Sequence, residues 1–474
     1  ALASPGTQYV STPSVTISGG TPSINATATA TLAGGGGGGG LNVFSYGNPT
    51  VPGFFQQRLV LAGPVLNPQQ FEMSQPGAFY NFNITDPLVA SDAISGQLVS
   101  GQLNTIQSMI SMPSGLVFLS DHQAWEINGG SKGSAVSAID IVANSQAYNG
   151  ASAVVPIVAN FDVLYIQAKN SIVRDLTYNF YTNVYTGTDI SVLSSHLFYG
   201  KQILQWAWAE EPFKLVWAVR SDGILLTLTF VKEQEMIAWT HSDTQNGAFK
   251  SVATVTENVP LGNVNATYFV VQRQIQGVNV NYIERLTEIY YPNDYFSSWQ
   301  VDAGLRFIGS PATTFYGCQH IAGQLVTAVA DGVVYNFTMP TDGHFVLPIA
   351  ASTVTVGLPI TAQLQTLALD IGEPTIQGRR KKISAVTVRC ANTLGLTIGR
   401  TFDPSSQKPM KDLVIGNIST MTNQVINSLV TGDARTIVDP LWDVPGQYCI
   451  QQTQPFPASI LGVIPEITVG DSQK

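Results

Sequence analysis

The chain of 474 residues carries 22 Lys and Arg against 31 Asp and Glu, and only 11% of its residues are charged, where soluble globular proteins average roughly 25%. With 44% hydrophobic residues it can bury a large core, so the disordered class is excluded and its length leaves room for roughly three domains. A net charge of −9 excludes a protein that grips nucleic acid by neutralising phosphates, but not one past which nucleic acid slides.

In chain order, the start Ala1-Leu2-Ala3-Ser4 has neither a Met nor a basic segment leading into an apolar run, so no signal peptide is expected and the chain reads as a fragment. Residues 1–40 are rich in Thr, Ser, Ala and Gly and end in the seven glycines 34–40; such a composition cannot offset the entropy of a packed core and predicts an extended arm. The alternating, β-branched stretch 9–17 predicts a short strand or hairpin within it.

From 41 to 345 strand follows strand. Five segments share one form, an apolar strand, a short polar turn and a second apolar strand: GLVFLSDHQAWEI (115–127), VLYIQAKNSIVRD (163–175), LVWAVRSDGILLT (215–227), YFVVQRQIQGVNVNYIER (268–285) and LVTAVADGVVY (325–335). Each predicts a hairpin, with turns such as Gln276-Gly277 and Asp331-Gly332 suited to positive φ. The turns recur about every 50 residues, the period of β-propeller blades; an irregular β-sandwich with many hairpins is the alternative. Residues 189–197 predict one or two helical turns, capped by Thr188 or Asp189. After 346 the texture changes, and 346–474 reads as a separate β domain. No stretch approaches the ~18 to 20 apolar residues of a membrane span; the most apolar, 346–362, is broken by Pro348, Gly357 and Pro359. The fold class is therefore all-β: an arm over 1–40, a propeller-like platform over 41–345 and a C-terminal β domain over 346–474.

Candidate chemistry is sparse. Cys318, Cys390 and Cys449 are too far apart for a zinc site or a disulfide framework and predict buried free thiols. The one nucleophile-elbow pattern, Gly129-Gly130-Ser131-Lys132-Gly133, runs into an alternating stretch instead of the helix such an elbow requires. Glu210 and Glu211 point to opposite faces if extended, while Glu233 and Glu235 share one face; a pair of this kind is what a glycosidase needs, but nothing fixes its separation. His122, His196, His241, His320 and His344 never fall at metal-ligand spacing. Asn-x-Ser/Thr triplets begin at Asn25, Asn83, Asn265, Asn336 and Asn417 and fit chance in a chain rich in Asn and Thr. Trp206, Trp208, Trp217 and Trp239 lie in apolar strands and read as blade core or subunit interface. The one concentration of positive charge, Arg379, Arg380, Lys381 and Lys382, is either a solvated loop or a contact with an acidic partner or with phosphates.

Several segments resemble one family, the tail hub or nozzle proteins of short-tailed bacteriophages, also called tail tubular protein B: FFQQRLVLAG (54–63), SIVRDLTY (171–178) with YTGTDI (185–190) and HLF (196–198), WAVRSDGILL (217–226), EQE (233–235) with AWTH (238–241), YIERL (282–286), GRRKKI (378–383) and GD (432–433). They follow the family's order across most of residues 54–470. Family members usually carry a further N-terminal region before the arm. The resemblance implies a non-enzymatic virion component without cofactors, a homohexameric ring below the portal and adaptor that borders tail fibres or spikes. Its channel would hold the end of the genome and conduct double-stranded DNA on ejection, with the chain in the phage tail and, during assembly, the host cytoplasm. Six copies at −9 each would repel DNA rather than bind it, and the arm would strap subunits together. A receptor-binding β-propeller for host glycans and, behind it, a cell-wall glycosidase are the alternative functions.

Overall fold

The computed structural model describes residues 43–130, 134–159, 162–179, 181, 184–259, 262–287, 299–370, 372, 375–410 and 429–470. The arm expected over 1–40 lies outside them, as do Ser131, Lys132 and Gly133 of the elbow pattern, Asn25 and Asn417. The described residues are all-β: the helical elements among them are short 3-10 turns. The chain divides into two compact units, one of residues 1–243 with 249–267, the other of 244–248 with 268–474.

The first unit is built from four-stranded antiparallel meanders taken in sequence order: β1 (Pro49–Phe55), β2 (Arg58–Pro64), β3 (Gln70–Met73) and β4 (Ile94–Gln97); β5 (Ile106–Met112), β6 (Gly115–Ser120), β7 (Ala124–Asn128) and β8 (Val142–Ala147); β9 (Ile157–Ala159), β10 (Asp162–Ile166), β11 (Val173–Asn179) and β12 (Val184–Asp189); β13 (Ile203–Ala209), β14 (Leu215–Arg220), β15 (Leu225–Val231) and β16 (Met236–Ser242). Three of the hairpins read from the sequence are the central hairpins of the last three meanders.

The unbroken apolar runs of the central strands have a direct cause. Along β6, Leu116 and Phe118 pack with Val60, Phe71 and Met73 of the first meander, while Val117 and Leu119 turn to the opposite face and pack with Val163, Tyr165 and Leu176 of the third. Along β10, Leu164 and Ile166 then join Val216, Leu226 and Leu228 of the fourth. Side chains alternate across a strand, so one buried on both faces must be apolar at every position. Each core is thus shared between one meander and the next, as between propeller blades. Trp206 belongs to the last of these cores, with Trp208 and Trp239 against it. The indole N–H groups of Trp206 and Trp239 donate to Val155 O (2.6 Å) and Ile190 O (3.0 Å).

The helix expected over 189–197 is shorter and later: a 3-10 helix spans Val192–Leu197 with Ser191 at its N-cap. Asp189 instead ends β12, and its Oδ1 accepts from Ser191 N and Oγ at 2.8 and 2.7 Å.

A three-stranded sheet follows, of β17 (Gly247–Val259), β18 (Gly262–Ile275) and β19 (Val278–Arg285). Its β18–β19 turn has Gln276 and Gly277 at φ 48° and 85°, the positive-φ pair expected of a tight hairpin. In the second unit β20 (Asp302–Phe315), β21 (Leu325–Ala330), β22 (Val333–Thr338) and β23 (Phe345–Leu358) form a sheet in the order β20-β23-β21-β22, so β23 inserts between two earlier strands. Asp331 and Gly332 turn the β21–β22 hairpin at φ 44° and 85°. Phe315 stacks on Phe345 at 5.3 Å over its core.

The remaining strands are β24 (Ala362–Gln365), β25 (Lys381–Thr393), β26 (Leu396–Gly399), β27 (Lys408–Pro409), β28 (Val430–Ile437), β29 (Trp442–Asp443), β30 (Cys449–Gln452) and β31 (Ser459–Val469). They make two sheets, β24-β30-β26-β27 and one in which β25 pairs with β28, β29 and β31. One core joins them, with Ile383, Val386 and Val388 of β25 meeting Ile398 of β26 and Ile450 of β30. Cys318, Cys390 and Cys449 are free and buried, and burial pushes the Cys318 thiol up to about 11.

Candidate functional site

The basic run sits where β25 begins. Arg380 is exposed, Arg379 and Lys382 are half-buried, and Lys381 is buried at 2% exposure. The alternation of the strand explains the split: Lys381 and Ile383 face the core, and Lys382 faces away, opposite Trp442 and Thr468. The sequence places four cations side by side, and the fold turns one of them inward.

The Lys381 stem is covered by Gly446, whose φ is +60° and at which a Cβ would stand 2.7 Å from Lys381 Cδ; only glycine suits both the conformation and the approach. Lys381 Nζ donates to Val444 O at 2.8 Å. Its partner in register, Asp443, is engaged elsewhere: Arg400 Nη2 donates to Asp443 Oδ2 at 3.0 Å. Arg400 follows β26, with its backbone N–H on Ser406 Oγ at 2.9 Å. Together with the apolar Ile383, Val438 and Leu441, the residues Lys381, Arg400, Asp443, Gly446, Gln447 and Tyr448 border a small cleft with only about 10 Å³ of space, about enough for one water molecule. Burial raises the Tyr448 phenol above its ordinary value, so it stays a neutral donor. Gln447 Nε2 donates to Thr366 O at 3.0 Å. Arg379 Nε is buried without a hydrogen-bond partner among the described residues.

Sequence reasoning found Lys381 but not Arg400, Asp443 or Tyr448, which are isolated residues in separate strands and loops. Only the pairing of β25 with β29, and the packing of β26 and β30 beneath it, brings them to one place.

The other candidates are not assembled into sites. Glu233 and Glu235 do not share a strand face as expected: they lie in a turn after β15, where Lys232–Gln234 form a 3-10 turn and Glu235 caps it at φ +54°. Glu233 is tied to Lys214 at 3.0 Å. Glu210 and Glu211 are exposed, their N–H groups both on Asn265 Oδ1 at 2.9 Å. His122 and His344 pair with Asp121 and Asp342, and the His320 ring contacts Ala303 O at 2.8 Å. Among the described residues no group of three or more His, Cys, Asp or Glu is placed to hold a metal ion. Among the described residues after Gly130, whose N–H donates to Asp140 Oδ1 at 2.8 Å, the next regular element is the strand β8 and not the helix of a nucleophile elbow. No helix of the described residues is long and apolar enough to cross a membrane.

No family model matches the chain, and no curated protein does. Among solved structures it is similar to a luciferin-regenerating enzyme, at 11% identity over 51% of this chain and 92% of that one, with a TM-score of 0.21, a likeness too slight to carry an argument.

Proposed function

We propose that the chain is a structural component of a short-tailed bacteriophage tail, a nozzle or hub that assembles as a ring of six copies and conducts double-stranded DNA during ejection. Its partners are further copies of itself, the adaptor of the head-tail connector, and tail fibres or spikes; it works in the virion tail, is assembled in the host cytoplasm and is not an enzyme.

One observation carries the reading: a chain so poor in charge leaves large apolar side chains in the open. Tyr80, Leu193 and Tyr199 are 98%, 94% and 90% exposed, and Leu66, Ile283 and Ile308 each exceed 70%. Large apolar side chains left this open are the kind that contacts between subunits cover. The family-like segments support it from a second side. FFQQRLVLAG makes the β1–β2 hairpin, WAVRSDGILL the β14–β15 hairpin, and GRRKKI opens β25, so the resemblance runs along strands and hairpins of the fold.

Native mass spectrometry of the purified chain tests this. A six-copy species is expected, with no retention of duplex DNA at physiological salt. A monomer at every concentration, or salt-resistant DNA binding, contradicts it.

A further inference from the structure

We propose that β19 is an acceptor edge for one more strand, supplied by residues 9–17 in the N-terminal arm of a second copy of the chain. The choice of a second copy as donor rests on the six-copy reading; the openness of the edge does not.

The register of β19 fixes which of its backbone groups are free. The tight turn at Gln276 and Gly277 closes on Ile275 and Val278, which bond to each other across the hairpin, so every second pair beyond them does the same. Gln274 has the opposite phase, its N–H donating to Asn246 O and away from β19. The N–H and C=O groups of Asn279, Asn281 and Ile283 therefore point outward, and among the described residues no strand pairs with them. Native sheets guard such edges with Pro, Lys, bulges or short strands. Here β5, β13, β20, β28 and β31 are broken by register shifts, β1 contains Pro49 and Pro52, and Thr254 Oγ1 ties β17 to Trp208 O at 2.8 Å. β16 is as regular but shorter, and its Trp239 is held by Ile190 O. β19 pairs along its whole length without a shift and contains neither Pro nor Lys. An edge left this open is a template for strand addition.

The chain carries a matching strand. Residues 1–42 lie outside the described ones, and within them 9–17 alternate and are β-branched. Residues 1–40 contain no Lys, Arg, Asp or Glu, so no charge in them opposes docking beside Asn279, Asn281 and Ile283. Pro13 would fall in the new outermost strand, where an edge admits it. Residues 18–42 give a tether of up to about 80 Å, long enough to reach a neighbouring copy. Arm on edge joins unlike surfaces and so repeats round a ring, whereas β19 on β19 would close at two copies.

Hydrogen exchange of the full chain, read by mass spectrometry over residues 278–285 while native mass spectrometry counts the copies, is the test. These amides should exchange at least about tenfold more slowly than in the full chain carrying Val15→Pro with Thr16→Pro, which spoils pairing in either register. Asn281→Pro removes an outward N–H without costing a bond to β18 and should also abolish the protection, while Asn281→Thr should keep it. Circular dichroism checks folding, and the arm variant keeps the outcome readable if Asn281→Pro is unstable. A six-copy species with β19 unprotected overturns the proposal and leaves the ring standing; arm-dependent protection in an assembly of another size does the reverse. Protection in single copies, or protection that survives the arm prolines, assigns the edge to the chain's own arm or to another strand and overturns the proposal as well.

Discussion

Arg273 and Lys381 are both buried cations in the second unit, and they are compensated in opposite ways. Arg273 is fully buried on β18. Its Nε and Nη2 donate to Glu284 at 2.5 and 2.7 Å, Nη2 also reaches Asp302 at 3.2 Å, and Nη1 donates to Thr244 Oγ1 at 2.7 Å. Burial alone would lower its pKa, yet the Glu284 and Asp302 carboxylates outweigh that and raise it. Lys381 donates to one carbonyl, Val444 O, and has no carboxylate of its own among the described residues. Arg58 in the first unit is intermediate: it donates to Ser74 O, Asp92 O and Ala90 O, and burial lowers its pKa with only partial offset from Asp92. Compensation by carboxylates thus falls from Arg273 through Arg58 to Lys381.

That ordering predicts unequal costs for removing each charge. Arg273→Met strands two carboxylates and should cost about 3–5 kcal/mol by chemical denaturation; a loss under 1 kcal/mol would break the comparison. Arg58→Met leaves three carbonyls unpaired around a buried stem, and about 2 kcal/mol is expected from the same measurement. Lys381→Met exchanges a poorly compensated ammonium for a side chain of similar length, so stability should stay within about 1 kcal/mol.

A smaller effect sharpens the contrast from the acidic side. Burial raises the Glu72 pKa above the usual 4.5, partly offset by donors from Gln70 and Ser95. Between 4.5 and the raised value the folded state keeps a proton that the unfolded state releases, so this group's contribution to stability falls as pH rises through that window. Glu72→Gln should flatten the slope of stability against pH there; an unchanged slope would assign it to other groups.

The hairpins were legible because central strands such as β6 and β10 are buried on both faces and therefore mostly apolar, and because Gln276-Gly277 and Asp331-Gly332 suit positive φ. The β1–β2 turn was less so, since Gln56 and Gln57 both adopt positive φ without the Asn or Gly that signals it. Glu233 and Glu235 misled through their spacing: two residues apart means a shared face only inside a strand, and β15 ends at Val231. The basic run was visible as a cluster, but its inward member was not separable from the rest until the register of β25 was known. Arg400 and Tyr448 carried no local signal, because their meeting with Lys381 is set by strand pairing across distant segments.

The proposed ring that conducts DNA is tested most directly by electron microscopy of the purified chain. Rings of six copies around an axial channel wide enough for double-stranded DNA are expected. Isolated single copies with no ring, or closed particles without a channel, would contradict it.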